Sequence, residues 1–129
     1  SAGDATTIAA SEAISLTTLT GETNMTDSSG NVLVASSTTA FTTTTVDTAI
    51  ETGGSLAVTF NNAVAANDGF LLIYDNNVDT FIASVTTGAN IADNAEAAAT
   101  NLTVENLVRL DGISDATSIT AAQLSAFAA

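Results

Sequence analysis

The fold is decided by the stretch Gly69-Phe-Leu-Leu-Ile-Tyr-Asp75, followed by Asn76-Asn77 and then by Val78-Asp-Thr-Phe-Ile-Ala-Ser-Val85. A continuous apolar run of strand length predicts a strand that is covered on both faces. Asn tolerates positive φ, so Asn76-Asn77 favours a tight type I′ turn between two antiparallel strands. The stretch therefore predicts a β-hairpin at the centre of the domain.

Shorter segments on either side of the hairpin predict further strands. Val32–Ala35 is a short apolar run, and Ser55–Phe60 alternates apolar with small or polar residues. Leu102–Leu110 fits a strand better than a helix that would begin after Thr103 and stop at Gly112. The expected core consists of Leu71, Ile73, Phe81, Val85, Leu102, Val104, Val108 and Leu110, with the last four on one strand face.

Thr-rich and Ala-rich segments carry weaker signals. Thr is β-branched, so Ala40–Val46 predicts a strand, followed by a helical turn ending at Gly53-Gly54. Asn90 is placed to cap a short helix over Ile91–Ala99, and Thr120-Ala-Ala-Gln123 resembles a capping box before a terminal helix. Together these segments predict a mainly β domain, a β-sandwich or barrel-like pair of antiparallel sheets with one or two short helices.

Composition indicates one folded domain that spans residues 1–129. The chain has no Cys, His, Pro, Trp or Lys, and Arg109 is the only cation against nine Asp and five Glu, a net charge of −13. Disorder is disfavoured because 46% of the residues are hydrophobic and the mean hydropathy is +0.36. Without disulfides, stability has to come from the core, from metal ions or from assembly.

The same composition argues against most functional classes. Without His or Cys there is no Ser–His–Asp triad, thiolate or conventional zinc site, so we expect no enzyme. A carboxylate pair without Trp and with one Tyr lacks the aromatic platform of a typical sugar-cleaving site. One Arg cannot line a nucleic-acid interface, and no signal peptide or transmembrane helix is visible.

Acidic turns are the candidate metal ligands. Asp75-Asn76-Asn77-Val78-Asp79 places oxygen ligands at alternate positions, which predicts calcium binding by Asp75, Asn77 and Asp79. Asp111 and Asp115 form the alternative cluster. A two-residue turn would put Asp75 and Asp79 on opposite faces of the hairpin, whereas a three-residue loop would pair them on one face. In the first case the turn is simply a solvated hairpin end.

The two ends of the chain share a short sequence pattern. Asp4-Ala-Thr-Thr-Ile-Ala-Ala-Ser-Glu12 matches Asp115-Ala-Thr-Ser-Ile-Thr-Ala-Ala-Gln123 at Asp, Ala, Thr, Ile and Ala in register. Chance competes with this interpretation in a chain with 25 Ala and 23 Thr. The alternative is that each end carries the same structural piece, as in modules that join head to tail.

Residues 68–127 resemble a known class of module. The stretches GFLLIYDNNVDTFIAS and NLTVENLVRLDGISDATSITAAQLSAF are similar to modules of RTX-type bacterial surface proteins, which include surface-layer proteins and adhesins, many of them cyanobacterial. Asn77 stands where Gly is usual, and the glycine-rich calcium nonapeptide of RTX proteins is absent. The resemblance implies secretion, by a type I pathway without an N-terminal signal, and work at the cell surface.

These observations lead to two functional hypotheses for an extracellular protein. The first is a self-assembling structural subunit of a surface filament, sheath or surface layer, in which residues 1–20 of one copy pack against or complete the sheet of the next. The uncharged stretch Phe41–Val46 would do little to discourage such strand pairing. The second is a calcium-assisted adhesin or glycan-binding module of a larger secreted protein, with a monomeric module as the simplest form.

Overall fold

A computed structural model describes residues 13–26 and 31–128 of the chain. The strands are β1 Leu16–Leu19, β2 Thr23–Asn24, β3 Val32–Ala35, β4 Val58–Phe60, β5 Gly69–Asp75, β6 Thr80–Thr87, β7 Ala95–Glu96 and β8 Leu102–Leu110. The helices are α1 Thr43–Ile50 and α2 Ala121–Ala128, preceded by a 3₁₀ turn at Ala116–Ser118. The Asp4–Glu12 half of the terminal sequence match lies outside the described residues.

The strands form a five-stranded sheet in the order β1-β3-β5-β6-β8 and a three-stranded sheet in the order β2-β4-β7. The expected class is confirmed: the chain is mainly β, with sandwich-like sheets, two short helices and no closed barrel. The sheets are mixed, however, because β1, β3 and β5 run parallel. Parallel neighbours need a long crossover, and the connection from Ala35 to Gly69 supplies one that contains α1 and β4.

Strand β5 is covered on both faces, as its apolar run predicts. Phe70, Leu72 and Tyr74 enter a first core together with side chains of α1 and the three-stranded sheet. Ile73 enters a second core on the opposite face, which the segment from Ile113 to Leu124 covers. Of the expected core residues, the buried ones are Ile73, Val85, Leu102 and Val104, and the half-buried ones are Leu71, Phe81, Val108 and Leu110.

A β-bulge interrupts β8 and changes which face its side chains reach. Ile82 pairs with Val108 and Ala83 pairs with Asn106, so Leu107 is an extra residue without a partner in the register. Side chains two residues apart normally share a face, but the bulge moves Val108 to the opposite face from Asn106.

Because of the bulge, one expectation about the core is wrong. Leu102 and Val104 lie in the first core, whereas Val108 and Leu110 pack against the second, so these four residues do not share a face. The bulge also leaves the Leu107 side chain 57% exposed.

Two local expectations are wrong. The segment Ala40–Val46 does not form a strand, because α1 begins at Thr43 with a capping box in which the Thr42 hydroxyl accepts from the Thr45 N–H and the Thr45 hydroxyl accepts from the Thr42 N–H. No helix forms over Ile91–Ala99, where the chain makes an isolated bridge and strand β7. In both places tertiary packing overrides the residue propensity.

The expected terminal helix is present as α2. Gln123 Oε1 accepts from the Thr120 backbone N–H at 2.8 Å, and the Thr120 hydroxyl accepts from the Gln123 N–H at 3.3 Å, which completes the predicted capping box. In the described part of the chain, neither helix is long and apolar enough to cross a membrane.

The two cores and the bulge predict a large loss of stability when one leucine is truncated and a small loss for another. Leu72→Ala should lower the free energy of unfolding by about 2–5 kcal/mol, because Leu72 is fully buried and its loss leaves a cavity. Leu107→Ala should change it by no more than about 0.5 kcal/mol, because Leu107 is largely exposed. Urea denaturation measures both, and a large loss for Leu107→Ala would contradict the bulge.

Candidate functional site

The loop between β5 and β6 is longer than the sequence predicts. Asp75 pairs with Thr80, so the connection has four residues, Asn76–Asp79. The Asn76 side chain builds this loop, because its Oδ1 accepts from the backbone N–H of Asp79 at 2.7 Å. The two-residue type I′ turn is therefore wrong, and so is the three-residue alternative.

Asp75 is a buried carboxylate that accepts a hydrogen bond from a distant part of the chain. It is 6% exposed, and its Oδ1 accepts from the Asn77 N–H at 3.0 Å. Its Oδ2 accepts from the N–H of Ala116, 41 residues further along, at 2.8 Å. Each oxygen thus has a backbone donor, which compensates the burial of the charge.

Asp79 also binds a distant part of the chain, and its partners include Arg109, the chain's only cation. Its Oδ1 accepts from the Gly112 N–H at 2.7 Å, and its Oδ2 lies 3.0 Å from Nε and 2.9 Å from Nη2 of Arg109. Arg109 Nε also lies 2.8 Å from Oδ1 of Asp111, a side chain that is 80% exposed. Asp79 and Asp111 are therefore linked through Arg109.

Asp115 caps the 3₁₀ turn instead of joining this ion pair. Its Oδ1 accepts from the Thr117 N–H at 2.9 Å and from the Thr117 hydroxyl at 2.6 Å. The hydrogen bonds from that hydroxyl and that N–H hold the pKa of the Asp115 carboxyl below its ordinary value. Asp115 is therefore ionised across the neutral range.

A polar cleft of about 610 Å³ brings three of the five predicted ligands together. It lies where β1, β3 and β5 end. Its lining residues are Thr20, Ser36, Ser37, Thr38, Ser55, Asp75, Asn77, Ser114, Asp115 and Thr117. Asp79 and Asp111 are not among them, so the predicted set is divided between this cleft and the Arg109 ion pair.

The cleft offers hydroxyls, one amide and two carboxylates. Hydroxyls donate and accept, so this lining suits a polyhydroxylated neutral ligand, and oxygen donors are also the ligands that calcium takes. Among residues 13–26 and 31–128, no group of three or more acidic, His or Cys side chains is close enough to hold a metal ion. Any ion here would therefore need hydroxyl, carbonyl or water oxygens as further ligands.

An apolar groove lies on the second face of the five-stranded sheet. Its volume is about 200 Å³, and it is lined by Ile14, Val32, Leu71, Ile82, Leu107, Val108 and Leu124. Leu107 enters this set because of the bulge, and α2 contributes Leu124. Sequence reasoning missed the groove, because strict alternation along β8 gives no sign of an extra residue.

The buried and the exposed partner of Arg109 should respond differently to truncation. Asp79→Ala should lower the free energy of unfolding by roughly 2–3 kcal/mol, because it removes charge-assisted bonds to Arg109 and Gly112. The matched change Asp111→Ala should cost no more than about 0.5 kcal/mol, because the Asp111 pair is exposed to solvent. Equal losses in chemical denaturation would contradict these roles.

Comparisons with known proteins return no relative that could extend this description. No protein family model, curated protein or solved structure matches the chain. The resemblance of residues 68–127 to surface-protein modules therefore stays a prediction, and function has to be argued from the geometry of the cleft and the groove.

Proposed function

We propose that this protein is a non-catalytic, self-assembling subunit of an extracellular filament, sheath or surface layer. The observation that carries the proposal is the apolar groove, whose wall includes the exposed Leu107 side chain. Leaving a large apolar side chain exposed forgoes about 1.5–3 kcal/mol that burial would contribute. A partner that fills the groove recovers that free energy.

A second copy of the chain is the occupant that the geometry favours. Ile14 lines the groove and is the second residue of the described range, so residues 1–12 adjoin the groove wall in sequence. Only part of the expected exchange segment, residues 1–20, is available to a neighbour. Leu16–Leu19 forms β1 and pairs with β3 of its own chain. We assign the contact with a neighbour to residues 1–12, the rest of that segment, which lie outside the described residues.

The electrostatics of the groove are compatible with self-association of an acidic protein. The lining residues that the structure describes are all uncharged. The net charge of −13 still produces a repulsion between copies, which salt screens over about 8 Å at physiological ionic strength. Assembly should therefore become stronger as salt is added.

The remaining parts of the proposal rest on composition and resemblance. A chain without His or Cys can form neither a Ser–His–Asp triad nor a thiolate nucleophile, which favours a structural role. The extracellular location follows from the resemblance of residues 68–127 to bacterial surface-protein modules.

Leu107→Asp tests the proposal. A charge in the groove should raise the protein concentration needed for assembly roughly ten- to hundredfold, the equivalent of losing one buried leucine. Val78→Asp is the matched control, because Val78 is 61% exposed in the β5–β6 loop and outside the groove. Sedimentation velocity and electron microscopy provide the readout. A wild-type protein that stays monomeric at high concentration and high salt would refute self-assembly.

The polar cleft favours a second candidate, a calcium-assisted adhesin or glycan-binding module. Asp75, Asn77 and Asp115 line it with hydroxyl side chains, a set that suits hydrated cations and sugars. Cell or glycan binding by a persistent monomer would support this candidate over assembly.

Calcium should then raise the melting temperature, because a ligand that binds only the native state stabilises it by about 2.7 kcal/mol at 100 times its Kd. Asp115→Asn should reduce the calcium-dependent rise, whereas Asp111→Asn should preserve it because Asp111 lies outside the cleft. Differential scanning calorimetry in millimolar calcium and in chelator measures the effect. Identical melting curves in both conditions would eliminate the calcium site.

A further inference from the structure

Two asparagines of the chain begin the pattern Asn-x-Thr, which is the acceptor sequence for an N-linked glycan. Residues 24–26 read Asn-Met-Thr, and residues 101–103 read Asn-Leu-Thr. In a chain with 23 Thr the pattern alone carries little weight, so the fold has to decide whether Asn24 or Asn101 can hold a glycan.

The side-chain amide of Asn101 is committed to contacts within the domain. Its Nδ2 donates to the Thr87 hydroxyl at 3.0 Å and to the Ala89 carbonyl at 3.4 Å. A glycan bonded to Nδ2 would replace one of these hydrogens and place a sugar ring where Thr87 and Ala89 lie. The next residue, Leu102, is 4% exposed in the first core, so the chain cannot swing outward without opening that core. The folded domain therefore excludes a glycan at Asn101.

The Asn24 side chain, in contrast, faces solvent. Met25 is 4% exposed and belongs to the first core. Because side chains alternate along an extended chain, the side chains of Asn24 and Thr26 point away from that core, and both residues are exposed. The acceptor amide and the hydroxyl that completes the pattern thus lie on the same outward-facing side.

Asn24 also lies at an edge of the three-stranded sheet. The order β2-β4-β7 puts β2 on one side of that sheet among the described strands. The Thr23 N–H donates to the Ala57 carbonyl and the Met25 N–H to the Thr59 carbonyl, both at 2.9 Å. The N–H of Asn24, between them, therefore points away from β4. A group bonded to the Asn24 side chain breaks none of these ladder hydrogen bonds.

We propose that Asn24 carries an N-linked glycan and that Asn101 does not. This inference rests on the extracellular location in the proposed function, because such glycans mark the surface of secreted proteins. The amide nitrogen of Asn24 attacks the anomeric carbon of a lipid-linked oligosaccharide, held by a glycosyltransferase that recognises the Thr26 hydroxyl. The new N–C bond replaces the bond between that carbon and the phosphate oxygen of the lipid. The amide gives one proton to a base of the transferase, and the lipid phosphate leaves.

A glycan on Asn24 and a partner in the apolar groove would occupy opposite sides of the domain. Asn24 points outward from the three-stranded sheet, whereas the groove lies on the second face of the five-stranded sheet. The glycan therefore leaves assembly through the groove open. It also covers an edge strand in a chain without Lys or Pro, the residues that commonly discourage edge-to-edge pairing.

Mass spectrometry of the full-length protein, purified from the cells that naturally make it, tests the acceptor. Wild type should exceed the 12.8 kDa of the unmodified chain by the mass of one glycan. Asn24→Gln should show only the mass of its own polypeptide. Asn101→Gln is the matched variant of the other pattern, and it should keep the glycan.

A second set of variants tests the recognition hydroxyl without changing either amide. Thr26→Val should abolish the glycan, and Thr26→Ser, which keeps a hydroxyl, should retain it. Thr103→Val is the matched control, because Thr103 is also exposed and occupies the same position in the other pattern. Its glycan should remain in place.

Three results would overturn the inference: a wild-type mass equal to that of the bare chain, a glycan on Asn101, or an added mass that survives Asn24→Gln. Sedimentation velocity on the same preparations reports self-assembly separately. Unmodified protein that assembles outside the cells removes only the inference, whereas glycosylated protein that stays monomeric removes only self-assembly. Unmodified protein found only inside the cells would remove both the glycan and the extracellular location.

Discussion

A strand that is buried on both faces requires a covering layer on each side, and β5 imposes this requirement on the domain. Leu72 and Tyr74 enter one core while Ile73 enters the other. The first face is covered by α1 and the three-stranded sheet, and the second by the segment from Ile113 to Leu124. Among the described residues, this second cover is short and leaves the groove open.

The second cover is held in place by charge as well as by apolar contact. Asp75 accepts from the N–H of Ala116 and Asp79 from the N–H of Gly112, so two buried carboxylates of the hairpin fix the path of the loop after β8. Hydrogen bonds to ionised acceptors are among the stronger ones, and breaking them would leave a buried charge uncompensated. An acidic chain with a single Arg thus uses backbone N–H groups to compensate its buried carboxylates.

Elements with a local signal were predictable from the sequence, and elements that depend on distant partners were not. The apolar run of β5 and the capping box before α2 each lie within one short segment and are found as expected. The bulge at Leu107 depends on the register with β6, which no pattern within β8 reveals. Thr-rich α1 shows the same limit, because the burial of Val46 and Ile50 in the first core outweighs the β-propensity of threonine.

The candidate site was likewise predictable only where its signal is local. The acidic turns were recognisable as polar clusters, but their pairing was not, because the donor to Asp75 lies at Ala116 and the partner of Asp79 at Arg109. The hairpin loop also differed, since the Asn76 side chain caps a four-residue connection that a count of turn residues does not distinguish from a shorter one. The groove had no sequence signal, because Leu107 joins its lining only through the bulge.

The parallel pairing of β1 with β3 has a mechanical consequence. The two strands are in register over four residues, from Leu16 opposite Val32 to Leu19 opposite Ala35. A pull on the N-terminal end of β1 along the strand axis loads these hydrogen bonds together, in shear, whereas a pull across the strands would open them one after another. Asn31 adds its bonds to Ala13 and Ser15 at the point where the tension enters. A subunit held by its N-terminal segment would therefore resist stretching best along the direction in which its edge strand runs.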